Sequence, residues 1–136
     1  MFLQNADLTL SGLDDPELAL WARVDAHGRI EGTAGFELSG RNALIRSVAV
    51  AAPARGTGLG SQLAQFAFDR AAEAGAERAW LFSRRSGPFW QKLGFVSADR
   101  DELAQLLSTT HQVTEFTATG QLGREIAWSR ALSQRP

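Results

Sequence analysis

The spacing of apolar and polar residues changes several times along the chain, and each change marks an element. From Leu18 to Val24 (LALWARV) apolar residues alternate loosely, and Asp25-Ala26-His27-Gly28 then reads as a hairpin turn. Arg29 to Leu38 (RIEGTAGFEL) is the returning strand, in which Gly32 and Gly35 point to a bulge or a close backbone approach. Ala43 to Val50 (ALIRSVAV) is richer in β-branched residues and predicts a central strand. After the loop AAPARG the period lengthens. From about Gly58 to Ala74, the residues Leu59, Leu63, Phe66, Ala67, Ala71 and Ala74 share one face, which predicts an amphipathic helix stopped by Gly75. Arg78 to Ser83 predicts a short buried strand, Pro88 to Leu93 a short helix ended by Gly94, and Phe95 to Ser97 a brief strand. Asp101 to Ser108 reads as a helical turn or two, Thr110 to Phe116 as a late loop, and Glu125 to Leu132 as the last strand. Residues 1–17 are weakly patterned and read as loop. The order predicts a mixed α/β (α+β) sheet built around one βαβ crossover.

Composition narrows the chemistry. The chain has 136 residues with no repeat, low-complexity tract or linker, so residues 1–136 are expected to form one domain. It has no Cys, which removes disulfides, a cysteine nucleophile and thiolate metal ligands, and no metal site is expected. A net charge of −1 offers no footprint for nucleic acid or an anionic membrane. No apolar run approaches the ~20 residues of a membrane span, and the start MFLQNADLTL lacks the plan of a signal peptide. The expectation is a soluble, cytoplasmic domain. Tyr is also absent, which removes a common phenolic acid from any mechanism. Lys92 is the one lysine; all other basic side chains are arginines, which suit bidentate anion binding.

The most informative stretch runs from Val48 through Pro53-Ala54-Arg55-Gly56-Thr57-Gly58-Leu59-Gly60-Ser61. A strand enters a glycine-rich turn that opens a helix. Such a turn lets backbone N–H groups curl around a ligand, and the helix end adds partial positive charge, so phosphate or pyrophosphate is the natural guest. The plainer reading is a strand-to-helix turn that binds nothing. A Walker loop fails, because no Lys lies near Gly60. A dinucleotide fingerprint fits poorly: Gly56-Thr57-Gly58 is followed by Gly60 and Ser61, and Glu77 precedes the next strand instead of ending it.

What fits is Arg-x-x-Gly-x-Gly, at Arg55, Gly58 and Gly60, after an apolar strand ending Val48-Ala49-Val50. This resembles the acetyl-CoA loop of the GNAT superfamily of N-acyltransferases. Downstream, Phe89-Trp90-Gln91-Lys92-Leu93-Gly94-Phe95 is similar to that family's aromatic-aromatic-x-x-Leu-Gly-Phe segment. The resemblance spans about Leu18 to Leu132. More loosely, Gly35-Phe36-Glu37, Leu44-Ile45-Arg46-Ser47 and Thr110 to Phe116 resemble the arsenic-resistance-linked and N-acetylglutamate-synthase-like branches. The resemblance implies a central mixed sheet with a splayed strand pair and flanking helices. It implies acetyl-CoA as acyl donor, with the amides of Arg55, Gly56, Thr57, Gly58, Leu59, Gly60 and Ser61 on the pyrophosphate. The main chain of Val48, Ala49 and Val50 would pair with the pantetheine arm, which can hydrogen-bond only where a strand edge is open.

Acetyl transfer to an amine requires loss of the ammonium proton, stabilisation of an oxyanion, and release of the thiolate. Many members of the family use a Tyr in the aromatic pair for the last step; here the pair is Phe89-Trp90. Indole N–H can only hydrogen-bond, so Ser83 or water is expected to assist, with a strand-end cap as Ser83's alternative role. Glu37 is the expected base, acting through water, against the reading of an exposed residue before Ser39-Gly40. Glu31, His27 and His111 read as surface, turn and loop residues. Arg46, inside an apolar strand, must be paired; it either meets an internal acid such as Glu37 or grips an anionic group of the substrate. Arg84 and Arg85 flank the slot's other strand, where they would bind substrate or the adenosine phosphate or lie solvated. Trp90 and Phe89 wall the pocket or simply pack the core. The expected acceptor is a small amine, an amino-acid-like one in the finer reading, and the rival reading is a degenerate acyl-CoA-binding module or sensor without turnover. Only seventeen residues precede Leu18, so the family's first strand reads as missing and a homodimer is expected to cover the edge.

Overall fold

Two tight turns fold the first long strands into an antiparallel meander. A computed structural model describes residues 4–5, 18–52 and 56–132, the first two and Leu18 by backbone only. The strands are β1 (Gln4–Asn5), β2 (Leu18–Val24), β3 (Ile30–Ser39) and β4 (Asn42–Val50). Between β2 and β3, Asp25 Oδ1 accepts from the amides of His27 (2.8 Å) and Arg29 (3.0 Å), an Asx-type turn closed at Gly28. Both glycines of β3 mark close approaches, as their spacing predicts. A Cβ at Gly32 would stand 2.4 Å from Leu63 Cδ1, and one at Gly35 2.6 Å from the Ala19 carbonyl oxygen.

Helix α1 (Leu59–Glu73) crosses from β4 to β5 (Arg78–Phe82), which lies parallel to β4. Its buried face is Leu59, Leu63, Ala64, Ala67, Phe68 and Ala71. Phe66 packs half-buried against Trp21, and Ala74, expected on the buried face, is exposed beyond the last turn. There follow α2 (Gly87–Lys92), β6 (Val96–Ala98), α3 (Arg100–Leu106), α4 (His111–Thr119), a 3-10 turn (Gln121–Arg124) and β7 (Ala127–Ala131). The strand order is β1-β2-β3-β4-β5-β7-β6. The mixed sheet with flanking helices is therefore as expected, with element ends shifted by a residue or two.

Two expectations need correction. The late loop is helix α4: Thr110 caps it, its Oγ1 accepting from Val113 N–H at 3.3 Å. The first strand is not missing, because Gln4 and Asn5 pair antiparallel with Ala22 and Trp21. The sheet edge that argued for a homodimer is thus paired at Trp21 and Ala22, two of the seven residues of β2.

Successive β4 side chains alternate between faces. Ile45 joins α1, α2 and the aromatic group Phe68, Trp90 and Phe95 on one face. Leu44 joins Trp80, Leu103, Leu107 and Val113 under α3 and α4 on the other. Phe68 and Phe95 are fully buried with ring centroids 5.5 Å apart, and each such ring contributes ~1.5–3 kcal/mol on burial. These two packed layers hold β4 and β5 rigidly at one end. The other end is free to diverge.

Candidate active site

Residue pairs Asn42↔Arg78, Ala43↔Ala79 and Leu44↔Trp80 join β4 to β5, and among the described residues the pairing ends there. A bulge lies just beyond the last pair. On the β3 side, Thr33 faces Ala49 while Gly35 faces Arg46, so Ser47 and Val48 together oppose one residue. Ser47 has φ 60, the one non-glycine with positive φ among the described residues, and its carbonyl accepts from Thr33 Oγ1 at 2.5 Å. The opened strands leave a slot of about 530 Å³. Its walls are β4 from Ile45 to Val50, β5 at Leu81 and Phe82, and then Ser83, Ser86, Phe89 and Trp90, together with Gly60 and Gln112. Because Gly60 belongs to the α1 layer and Gln112 to the α4 layer, the slot passes through the sheet.

Gly60 stands at the start of α1, behind the glycine loop. Gly58 (φ 84) is the N-cap and Gly56 has φ 81, a left-handed backbone that few side chains tolerate. A Cβ at Gly60 would lie 3.5 Å from both Val50 and Phe89, in ordinary contact with each, so a larger side chain there would press between strand and aromatic wall. The helix N-terminus directs its amides and partial positive charge to this end. Thr57 and Leu59 face the neighbouring cleft beneath the β2–β3 hairpin instead. Arg55, with Pro53 and Ala54, lies outside the described residues.

On the opposite face, Glu37 is buried (2% exposed) and has three donors. Its Oε1 accepts from His111 N–H (2.5 Å), and Oε2 from Gln112 N–H (3.1 Å) and Arg46 Nη1 (2.7 Å). It does not line the slot. Arg46 does line it, and its Nε is buried with no hydrogen-bond partner.

A glycine turn at Gly56 and Gly58 thus opens α1 beside strands whose pairing stops at Leu44 and Trp80. The family described as "Acetyltransferase (GNAT) family" matches residues 3–95. The chain belongs to the GNAT acetyltransferase family. A search of curated protein sequences finds no match. Among solved structures, N-acetylglutamate synthase from Neisseria gonorrhoeae, complexed with coenzyme A and N-acetyl-glutamate, superposes with a TM-score of 0.68 at 22% identity. That match covers 87% of this chain and 26% of the synthase, so this chain spans about a quarter of that enzyme's length. A GNAT acetyltransferase from Staphylococcus aureus gives TM-score 0.68 at 16% identity, covering 85% of this chain and 69% of the other. Rv2747 from Mycobacterium tuberculosis, solved with CoA and NLQ, gives 0.67 at 19% identity, covering 84% and 76%. The GNAT fold expected from the motifs is the fold observed.

Within this GNAT slot the remaining candidates divide. Trp90 both lines the slot and packs edge-on against Phe89 and Phe95, so wall and core are one role. Ser83 lines the slot while its Oγ accepts from Ser86 N–H at 3.1 Å, capping the turn and keeping its own proton to donate. Arg84 is not on the slot wall: its Nε lies 3.4 Å from Oε2 of buried Glu125, which explains its placement without substrate. Arg85 is exposed in the turn between Ser83 and Ser86. Sequence reasoning missed Ser47 and Gln112. A capping Thr110 followed by Val113 and Phe116 at helical spacing was a readable signal for the helix carrying Gln112. For Ser47 the sequence holds no such signal. No group of three His, Asp or Glu among the described residues could hold a metal, and no helix among them is long and apolar enough to cross a membrane.

Proposed function

We propose that the β4/β5 slot binds acetyl-CoA and that the chain transfers its acetyl group directly to the amine of a small, amino-acid-like acceptor. The observation that carries this reading is the β4 edge left without β5 partners past Leu44, beside a slot that ends at the α1 N-terminus. Acetyl-CoA supplies an activated thioester carbonyl. The amides of Arg55 to Ser61 hold the pyrophosphate, and the backbone of Val48, Ala49 and Val50 aligns the pantetheine as an added strand. Phe89 and Trp90 exclude water from one side of the thioester position. Ser83 donates its hydroxyl proton toward the leaving sulfur. A thiol of pKa ~8.5 is a tolerable leaving group even without full protonation. Glu37, the base expected from sequence, has both oxygens engaged, so the acceptor ammonium loses its proton to water in the slot. The inferred setting is the cytoplasm, where acyl-CoA donors and small amines meet.

The same engagement of Glu37, together with the absence of Tyr, favours a second reading: an acyl-CoA-binding module without turnover. Thiol release from acetyl-CoA across a panel of amines and amino acids separates the two. Release dependent on an acceptor supports transfer. Tight acetyl-CoA binding with no release on any acceptor leaves the binding module. A homodimer belongs to the same proposal only as an assembly question, and light scattering of the purified chain decides it.

A further inference from the structure

The α4 side of the slot carries an electrostatic imbalance. Arg46 is nine-tenths buried, and a buried guanidinium needs a full set of acceptors. Only Nη1 has one, in Glu37; Nε is buried and has none. Glu37 is itself shared. Its single negative charge also answers the amides of His111 and Gln112 at the α4 N-terminus, which brings about half a positive charge of its own. One carboxylate therefore faces more than one unit of positive charge, and the surplus lies on the slot wall. The helix end is not itself open to a ligand, because Val113 N–H is taken by Thr110 Oγ1. Arg46 and Gln112 both line the slot.

We propose that Arg46 and Gln112 form a subsite for the carboxylate of the acceptor, and that Glu37 is the positioning residue that holds both in place. The proposal rests on the acyl-transfer reading of the slot and adds the charge of the substrate it takes. Arg46 lines the slot with a side chain 10% exposed and one ion-pair acceptor, and a carboxylate in the slot matches a forked guanidinium in a plane. The Gln112 carboxamide can donate to the same carboxylate or accept from the neighbouring ammonium. This subsite lies on the α4 face, opposite the glycine loop, so acceptor and donor enter from different sides of the sheet. The Glu37 bonds to Nη1 and to the Gln112 amide fix the two recognition side chains relative to each other, although their residues are far apart in sequence.

The test compares L-amino acids with their α-carboxamides, which keep the amine and lose the carboxylate. On the wild-type chain, kcat/KM should favour the acids by at least about tenfold, the scale of one hydrogen bond to a charged group. Arg46→Gln should erase that preference through acceptor KM, with acetyl-CoA affinity by calorimetry unchanged. Glu37→Gln should raise acceptor KM in the same direction, again without changing acetyl-CoA affinity. Equal turnover of acids and carboxamides by the wild type overturns the proposal, and this comparison needs no variant to fold. A readout independent of turnover is the NMR resonance of the Arg46 Nε–H in the CoA-bound chain. It should shift on adding an amino acid and stay fixed with its carboxamide; no shift with any acid overturns the subsite. Failure of acetyl-CoA to bind at all would instead remove the acyl-transfer reading beneath it.

Discussion

Glu37 Oε2 lies 2.7 Å from Arg46 Nη1, and the two side chains are only 3% and 10% exposed. The pair joins neighbouring strands β3 and β4, and through the amides of His111 and Gln112 it also ties α4 to the sheet. Glu37→Ala strands a buried guanidinium and two amides, so it should cost ~3–5 kcal/mol. Arg46→Met leaves Glu37 its two amide donors and should cost distinctly less. Urea unfolding midpoints check the order; equal losses would mean that α4 does not depend on this carboxylate.

The glycine loop separates folding from binding. Gly58→Ala forces a side chain into φ 84 at the helix N-cap, at a cost of ~1–2 kcal/mol in stability. Gly60→Leu meets no backbone at its Cβ but extends between Val50 and Phe89 into the slot. It should leave the melting temperature nearly unchanged while weakening acetyl-CoA binding at least about tenfold, a loss near 1.4 kcal/mol. Thr57→Ala should weaken it less than either. Paired melting and calorimetry distinguish the three.

The slot offers serine hydroxyls and indole but no phenol. If transfer proceeds, kcat should rise with pH as the acceptor ammonium deprotonates, with no descending limb near the phenol value of ~10. Ser83→Ala should slow turnover by about tenfold or less, since the hydroxyl assists a leaving group that departs without it. A descending limb at that pH, unchanged in Ser83→Ala, would point to an acid elsewhere.

The β2–β3 turn has its own titration. The amides of Arg29 first, and His27 next, hold the Asp25 carboxylate below the ordinary aspartate range. A lowered pKa in the folded state favours the ionised form, so the turn is supported above the ordinary value and loses that support as pH falls through the folded value. NMR titration should give an Asp25 pKa below that of an unstructured peptide, with the His27 and Arg29 amide shifts following it. Asp25→Asn should abolish the coupled shifts.

Periodicity and turn chemistry made the meander, α1, β5 and α2 legible, because each has a local cause: Gly28 and Asp25 at one turn, Leu59, Leu63 and Ala67 on one helix face, Pro88 and Gly94 around another. The glycine loop was legible for the same reason. The α4 side of the slot was not. Glu37 and Gln112 are 75 residues apart, and the bond between them arises only once α3 and α4 pack on the sheet. Glu37 reads in sequence as a base or a turn-flanking acid, with pairing to Arg46 as one alternative, and in space it is buried and bonded to Arg46 and two α4 amides. The Ser47 bulge is likewise non-local, set by how β3 and β4 register around Gly35.

The gap between β4 and β5 is the acyl-CoA site we propose. Calorimetric titration of the chain with acetyl-CoA tests it most directly, run beside Gly60→Leu checked for an intact fold. An acyl-CoA site in this gap gives saturable binding of one molecule per chain, markedly weakened in the variant. No saturable binding to the folded wild-type chain, or equal affinity in Gly60→Leu, would contradict it.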